Sequence, residues 1–267
     1  MYEELFELLV SDEVFYERPE PLRHPLIFYF GHTAVFFANK LRLAKLLETS
    51  IDPELESSCA VGVDEMSWDD LNSEHYDWPS VDRVRRYRKE VENRVVELPI
   101  TWQSPWWPIL MGIEHERIHL ETSSVLIRQL DPGLVRPSPK WAPIAPIGAA
   151  APANELLEVP GAQVQLGLGS WSEIHDFYGW DNEFGQEVIE VEDFLASKYL
   201  VSNAQFLEFV EAGGYEREEY WEEEGKEWLR YAKPRHPVFW IEEDGEYRLR
   251  LIDRAVSYTH LTLPTKA

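Results

Sequence analysis

Cysteine is almost missing from this sequence: Cys59 is the only one in 267 residues, so no internal disulfide can form and nothing points to an oxidising compartment. Positive charge is scarce as well, with 25 Lys and Arg against 49 Asp and Glu and a formal net charge of −24. A field of that sign repels phosphate backbones and anionic lipid, so neither nucleic acid nor a membrane surface is an expected partner. Long apolar runs are also lacking. The longest, from Leu26 to Phe37, is interrupted by Gly31 and His32 and falls short of the roughly 20 residues a bilayer-spanning helix needs. The opening MYEELFELLVSDEVF has acids where a secretory signal needs a basic start and an unbroken apolar segment. These absences together predict a soluble, cytoplasmic protein.

Aromatic residues, by contrast, are plentiful. Eleven Trp, 12 Tyr and 12 Phe in a chain that is 44% hydrophobic argue against disorder, because side chains of that size must be packed or used at a site. Four segments read as helix. Tyr2 to Leu9 is short and amphipathic. Pro25 to Leu47 opens on proline and is apolar nearly all round, as a helix inside a bundle would be. Pro79 to Glu97 sets Val81, Val84, Val91 and Val95 at helical spacing, and Ser104 caps a helix running to Leu130, where Asp131-Pro132-Gly133 stops it. Four such faces predict a bundle over residues 1–132.

The texture then changes. Seven of the 18 prolines fall within residues 131–160 beside the run Ala149 to Ala151, a composition that supports neither a long helix nor a central strand; residues 133–156 are therefore expected to be a linker. From 157 to 254 the pattern is α+β. Leu157 to Leu168 reads as strand and turn, Val188 to Phe194 as strand, and Val201 to Ala212 as a helix beginning near Ser202. The ending AVSYTHLTLPTKA has no acid in an otherwise acidic chain, so residues 255–267 are expected to be a non-native tail making few contacts.

The motif richest in chemistry is His115-Glu116-Arg117-Ile118-His119. Two His at i and i+4 project from one helical face about a turn apart, the geometry two ligands of one metal need. As letters it also satisfies the zinc-protease pattern H-E-x-x-H. The extended form of that pattern needs Gly and His where this chain has Thr122 and Val125, and the alternative downstream Glu ligand is missing, since no Glu occurs between Glu121 and Glu155. His32, inside an apolar helix that would not tolerate an unpartnered imidazole, is the expected third ligand. His24, His75, His175 and His236 sit in polar or proline-flanked sequence and read as ordinary residues. Glu121 lies roughly 200° around the helix from His119 and cannot share the ligand face. Glu114, Glu116 and Glu121 read as surface charges or as acceptors for a ligand imidazole N–H. A three-His site without carboxylate keeps the full dipositive charge and open coordination positions, which suits Fe(II) with thiolate and oxygen as well as it suits zinc.

The segments RHPLIFYFGHTAVFF, VGVDEMSWDDL, GIEHERIHLETSSVLIRQL, YGWDNEFG and FLASKYLVSNAQFLEFVEAGGY resemble, in order and from Tyr2 to about Arg254, the ovothiol-pathway 5-histidylcysteine sulfoxide synthases. The ergothioneine-pathway sulfoxide synthases, which share H-x-x-x-H-x-E, are a related family. The resemblance implies a DinB-like four-helix bundle followed by the first part of a formylglycine-generating-enzyme-like (sulfatase-modifying-factor, C-type-lectin-related) domain, an α + (α+β) architecture. It further implies Fe(II) held by His32, His115 and His119, with Glu121 as the non-ligating acid of the motif. The reaction it implies joins the sulfur of L-cysteine to the imidazole of L-histidine with O2 as co-substrate. The ergothioneine-type substrate pair is the alternative within that class. A zinc hydrolase using HERIH and a non-catalytic module with a vestigial site are the alternatives outside it. In the family the second domain continues past Arg254 with a tyrosine near the site, and some members add a methyltransferase, so this chain is expected to be C-terminally truncated and to hold iron without necessarily turning over.

Overall fold

The computed structural model describes residues 1–60, 77–99, 106–141, 153–170 and 178–257. The VGVDEMSWDDL block, His75, His175 and the expected Ser104 cap lie outside the described residues. The chain divides into two compact units, 1–137 with 175–182, and 138–174 with 183–267.

The first unit is helical: α1 (Tyr2–Phe6), α2 (Leu26–Leu43), α3 (Pro53–Ala60), α4 (Val81–Val96) and α5 (Trp107–Gln129), with a 3₁₀ turn at Asp12–Tyr16. Helix α2 is buried nearly all round, from Leu26 through Phe36 and at Ala38 and Leu41, as its lack of a polar face requires. It packs on α3, α4 and α5. Pro25 is the residue before the helix rather than its first turn, and Lys45, at φ 59, ends it earlier than Leu47. Helix α4 starts at Val81 because the Ser80 hydroxyl accepts from the Arg83 N–H, and it buries Val81, Val84, Tyr87 and Val91.

Helix α3 is an element absent from the sequence reading. Its signal was present in Asp52-Pro53-Glu54: the Asp52 carboxylate accepts from the Leu55 N–H, and proline is tolerated where an N–H is orphaned in any case. The expected four helices are thus five among the described residues. The start of the expected linker also packs onto this unit. Pro132–Leu134 forms a 3₁₀ turn, and buried Val135 bridges to Leu9.

One buried cation ties the helices together. Arg88 on α4 donates to Glu3 on α1 at 2.8 Å, to the Phe30 carbonyl at 2.9 Å and Thr33 Oγ1 at 2.7 Å on α2, and to Glu116 on α5 at 3.2 Å.

The second unit mixes strand and helix. β1 (Leu156–Val159) and β2 (Ala162–Gly169) pair antiparallel with β4 (Phe194–Ser197) and β3 (Gly185–Val191), respectively. The pairs Leu156↔Ser197, Val159↔Phe194 and Ala162↔Val191 keep one register, so the four strands form a single two-stranded ribbon broken at 160–161. There the Gly161 N–H donates to Asp193 Oδ1 at 2.6 Å, and a Cβ on Gly161 would meet the Val191 carbonyl at 2.6 Å. Leu156, Leu157, Val164, Leu166, Val188, Phe194 and Leu195 are exposed on this ribbon.

Helix α6 (Asn203–Glu211) opens with a complete capping box between Ser202 and Gln205, where the sequence placed its start. After α7 (Glu223–Ala232), a three-stranded meander of β5 (Trp240–Glu243), β6 (Glu246–Arg250) and β7 (Ala255–Ser257) closes a small core of Trp240, Leu249 and Val256 with Phe206 and Tyr247. Residues 255–257 therefore pair with β6 and bury Val256, against the expectation that they make few contacts. No helix among the described residues is long and apolar enough to cross a membrane.

Candidate metal centre

Three elements of sequence converge in the first unit. His115 and His119 lie one turn apart on α5, and His32 faces them from the buried middle of α2. Each of the three offers a ligand nitrogen, and these nitrogens lie within 4.8 Å of one another. The ring centroids stand 5.1 Å apart for His32 and His115, 4.9 Å for His32 and His119, and 4.5 Å for His115 and His119. Imidazole nitrogens bound to one metal at about 2 Å are separated by little over 3 Å, so small rotations bring these rings onto a shared point.

Helix α2 supplies aromatic supports for the cluster. Phe28 stacks on His32 from one turn before it, with 4.9 Å between centroids, and Phe36, one turn after it, lies flat on His115 at 3.7 Å and 8°. Tyr29 lies 6.0 Å from the His119 ring. Two glycines let the helices approach closely enough for these contacts. A Cβ on Gly112 would sit 2.2 Å from the Phe37 ring, and one on Gly31 would sit 2.7 Å from Cys59 Sγ.

The electrostatics suit cation binding. Burial drives the His115 pKa down to about 2, helped by its neighbours His119, His32 and Lys40. Burial, with His32 and Arg23, takes His119 to about 4, and burial also lowers His32. All three imidazoles are therefore neutral near pH 7, with lone pairs available. The Nδ1 atoms of His115 and His119 are buried without a hydrogen-bond partner, a cost that a bound cation would remove. His32 Nδ1 stands 2.7 Å from the Cys59 carbonyl. Three neutral nitrogen donors on two helices, with no carboxylate in the cluster among the described residues, fit a divalent transition metal with open positions.

The acids of the motif go elsewhere. Glu116 is engaged by Arg88, Glu114 by Arg117 at 2.7 Å, and Glu121 is on the exposed side of α5. His24, read from sequence as an ordinary residue, is buried, its ring 4.4 Å from Phe28 at a 41° tilt and edge-on to Trp78 at 5.7 Å. Only its place beside an apolar helix start hinted at that. His236 fits its plain reading, with Nδ1 3.0 Å from the Pro237 carbonyl.

Residues 145–245 match the family profile of the sulfatase-modifying factor enzyme 1-like domain. The chain is 26% identical over 230 residues to ergothioneine biosynthesis protein 1 of Neurospora crassa, which covers 76% of this chain and 25% of that protein. It is 26% identical over 247 residues to the Schizosaccharomyces pombe protein of the same name, covering 76% of this chain and 30% of that one. Its identity to hercynine oxygenase of Mycolicibacterium smegmatis is 29% over 138 residues, covering 51% of this chain and 30% of the other. The chain thus spans between a quarter and a third of the length of the curated relatives it matches.

Proposed function

We propose that this chain carries the iron-binding part of an O2-dependent sulfoxide synthase, which forms a C–S bond between a cysteine-type thiol and the imidazole of a histidine-type substrate. The observation that carries this reading is the convergence of three neutral imidazoles, His32 buried and His115 and His119 half-buried. The matches to ergothioneine biosynthesis proteins and to a hercynine oxygenase support the same class of chemistry. They favour the ergothioneine-type substrate pair. The ovothiol-type pair, free L-histidine with L-cysteine, remains as the second reading on the strength of VGVDEMSWDDL and YGWDNEFG.

In this reading His32, His115 and His119 hold Fe(II), and the ion supplies dioxygen chemistry and acidifies a bound thiol. The protein's own contribution is positional. Phe28 and Phe36 fix two of the rings, their burial keeps the nitrogens unprotonated, and the apolar wall of α2 keeps water from those faces. The zinc-hydrolase alternative needs the Glu of H-E-x-x-H as general base beside the metal. Here Glu116 is instead paired with Arg88, whose other donors go to Glu3 on α1 and to the Phe30 carbonyl and Thr33 hydroxyl of α2.

Anaerobic titration of the metal-free chain with Fe(II) tests the site, and one equivalent bound by wild type but not by His119→Ala is the expected result. Oxygen uptake by the full gene product, with mass detection of product, then distinguishes histidine from trimethylhistidine and cysteine from γ-glutamylcysteine. Absence of stoichiometric iron in wild type, or zinc-dependent amide cleavage in place of thiol-dependent oxygen uptake, would overturn the proposal.

A further inference from the structure

His32 differs from the other two imidazoles in one respect. Its Nδ1 has a hydrogen-bond partner, the Cys59 carbonyl at 2.7 Å, whereas the Nδ1 atoms of His115 and His119 have none. A carbonyl can only accept, so His32 must carry its proton on Nδ1, which leaves the lone pair on Nε2. The acceptor belongs to the last described turn of α3.

Two features hold that carbonyl in place. The first is close approach: Gly31, the residue before His32, leaves room for Cys59, and any Cβ there would collide with Sγ at 2.7 Å. The second is Glu56, one turn earlier on α3 and only 5% exposed. Its carboxylate accepts from Ser50 Oγ at 2.5 Å, the Ile51 N–H at 2.9 Å, the Asp52 N–H at 3.4 Å, Arg42 Nη1 at 3.3 Å and the Tyr87 hydroxyl at 3.1 Å. These donors come from α2, from α4 and from the turn that starts α3, so Glu56 fixes α3 against both long helices.

We propose that α3 is the positioning element of the three-His site: Glu56 pins the helix, Gly31 admits it, and the Cys59 carbonyl sets the tautomer and orientation of His32. Glu56 and Gly31 act through His32 and touch no substrate. The inference rests on the three-His reading above for its function, but the tautomer can be read without any metal.

The experiment uses the whole chain with ¹⁵N-labelled histidine, metal-free for the ring-nitrogen spectrum and then titrated with Co(II). Wild type should show His32 as a single Nδ1–H tautomer. Gly31→Ala should mix the tautomers and weaken Co(II) binding by at least about tenfold, the range in which such supporting contacts act. Gly31→Ala combined with Cys59→Ala should restore both, because the obstructing sulfur is gone while the carbonyl remains. Glu56→Gln should shift the tautomer and lower affinity similarly, and Tyr87→Phe, which removes one donor, should do so more weakly should Glu56→Gln fail to fold. Leu5→Ala, a cavity in α1, serves as the control for mere destabilisation and should lower the melting temperature without moving the tautomer. Folded Gly31→Ala and Glu56→Gln proteins with the wild-type tautomer and affinity would overturn the proposal, as would an effect no different from that of Leu5→Ala. If wild type fails to bind Co(II), the three-His reading falls, and the tautomer measurements still decide whether α3 positions His32.

Discussion

Arg88 Nη2 lies 3.2 Å from Glu116 Oε2, and through that contact a buried cation on α4 holds the residue next to His115. The same guanidinium serves Glu3 on α1 and the Phe30 carbonyl and Thr33 Oγ1 on α2, so its loss would take a buried donor from all three.

Arg88→Leu should therefore lower stability by about 2–4 kcal/mol, toward the lower end of what breaking a buried pair costs, because Glu3 and Glu116 are partly exposed. Arg88→Lys should recover only part of it, since an ammonium cannot reach four acceptors in the geometry of a guanidinium. Urea unfolding measures both. A change below about 0.5 kcal/mol for Arg88→Leu would mean that the network contributes little.

Glu116→Gln distinguishes the chemistries. With its carboxylate taken by Arg88, the substitution should leave metal stoichiometry intact and lower turnover by less than about tenfold. A general base lost from a metallohydrolase would instead cost on the order of 100-fold or more in rate.

Glu121 is exposed, and helical periodicity sets it roughly 200° around α5 from His119. Glu121→Gln should weaken iron binding by no more than the roughly 10- to 100-fold of a supporting group, while His119→Ala abolishes it. Equal losses in metal analysis of the two variants would make Glu121 a ligand.

The imidazoles also predict a pH dependence for the metal-free protein. Burial holds His119 at about 4 and His115 at about 2, both below the ordinary value of 6.5. The unfolded chain therefore binds protons that the folded one refuses, so stability rises with pH across the window between those values and 6.5. Their contribution is fully present above pH 6.5 and is lost as the pH falls through 6 and 5. Thermal melts between pH 8 and 5 should show the decline, and His119→Asn should flatten it. A flat wild-type profile would mean that the rings are solvated.

Cys59 is fully buried, and burial pushes its thiol up to about 12. Iodoacetamide should therefore label it only as fast as the helical unit opens, and promptly once the chain is unfolded in urea. Prompt labelling of the native protein would show that α3 leaves α2 readily.

The sequence alone determined much of this protein. An all-round apolar sequence identified α2, the spacing of its valines α4, and a stop at Asp131-Pro132-Gly133 the end of α5, while the i, i+4 spacing of His115 and His119 placed two imidazoles on one side of α5 whatever surrounded it. The change of texture after residue 131, the strand character of Leu157 to Leu168 and the Ser202 cap were legible from local propensity, whereas the pairing of the strands was not. His32 could be singled out because an apolar helix does not readily tolerate a lone ring.

Tertiary structure decided what local rules cannot carry. Helix α3 depends on Asp52 and Pro53 but is held by Glu56, Arg42 and Tyr87, contacts that span up to 31 positions in the chain. The burial of His24, the capture of Glu116 by Arg88 and the hydrogen bond from His32 to Cys59 are likewise long-range pairings. Their partners are chosen by which helix surfaces meet, and glycine at 31 and 112 lets those surfaces meet closely. Spacing along the chain put His115 and His119 on one face of α5; only the packing of α2 against α3 and α5 decided how His32 meets them.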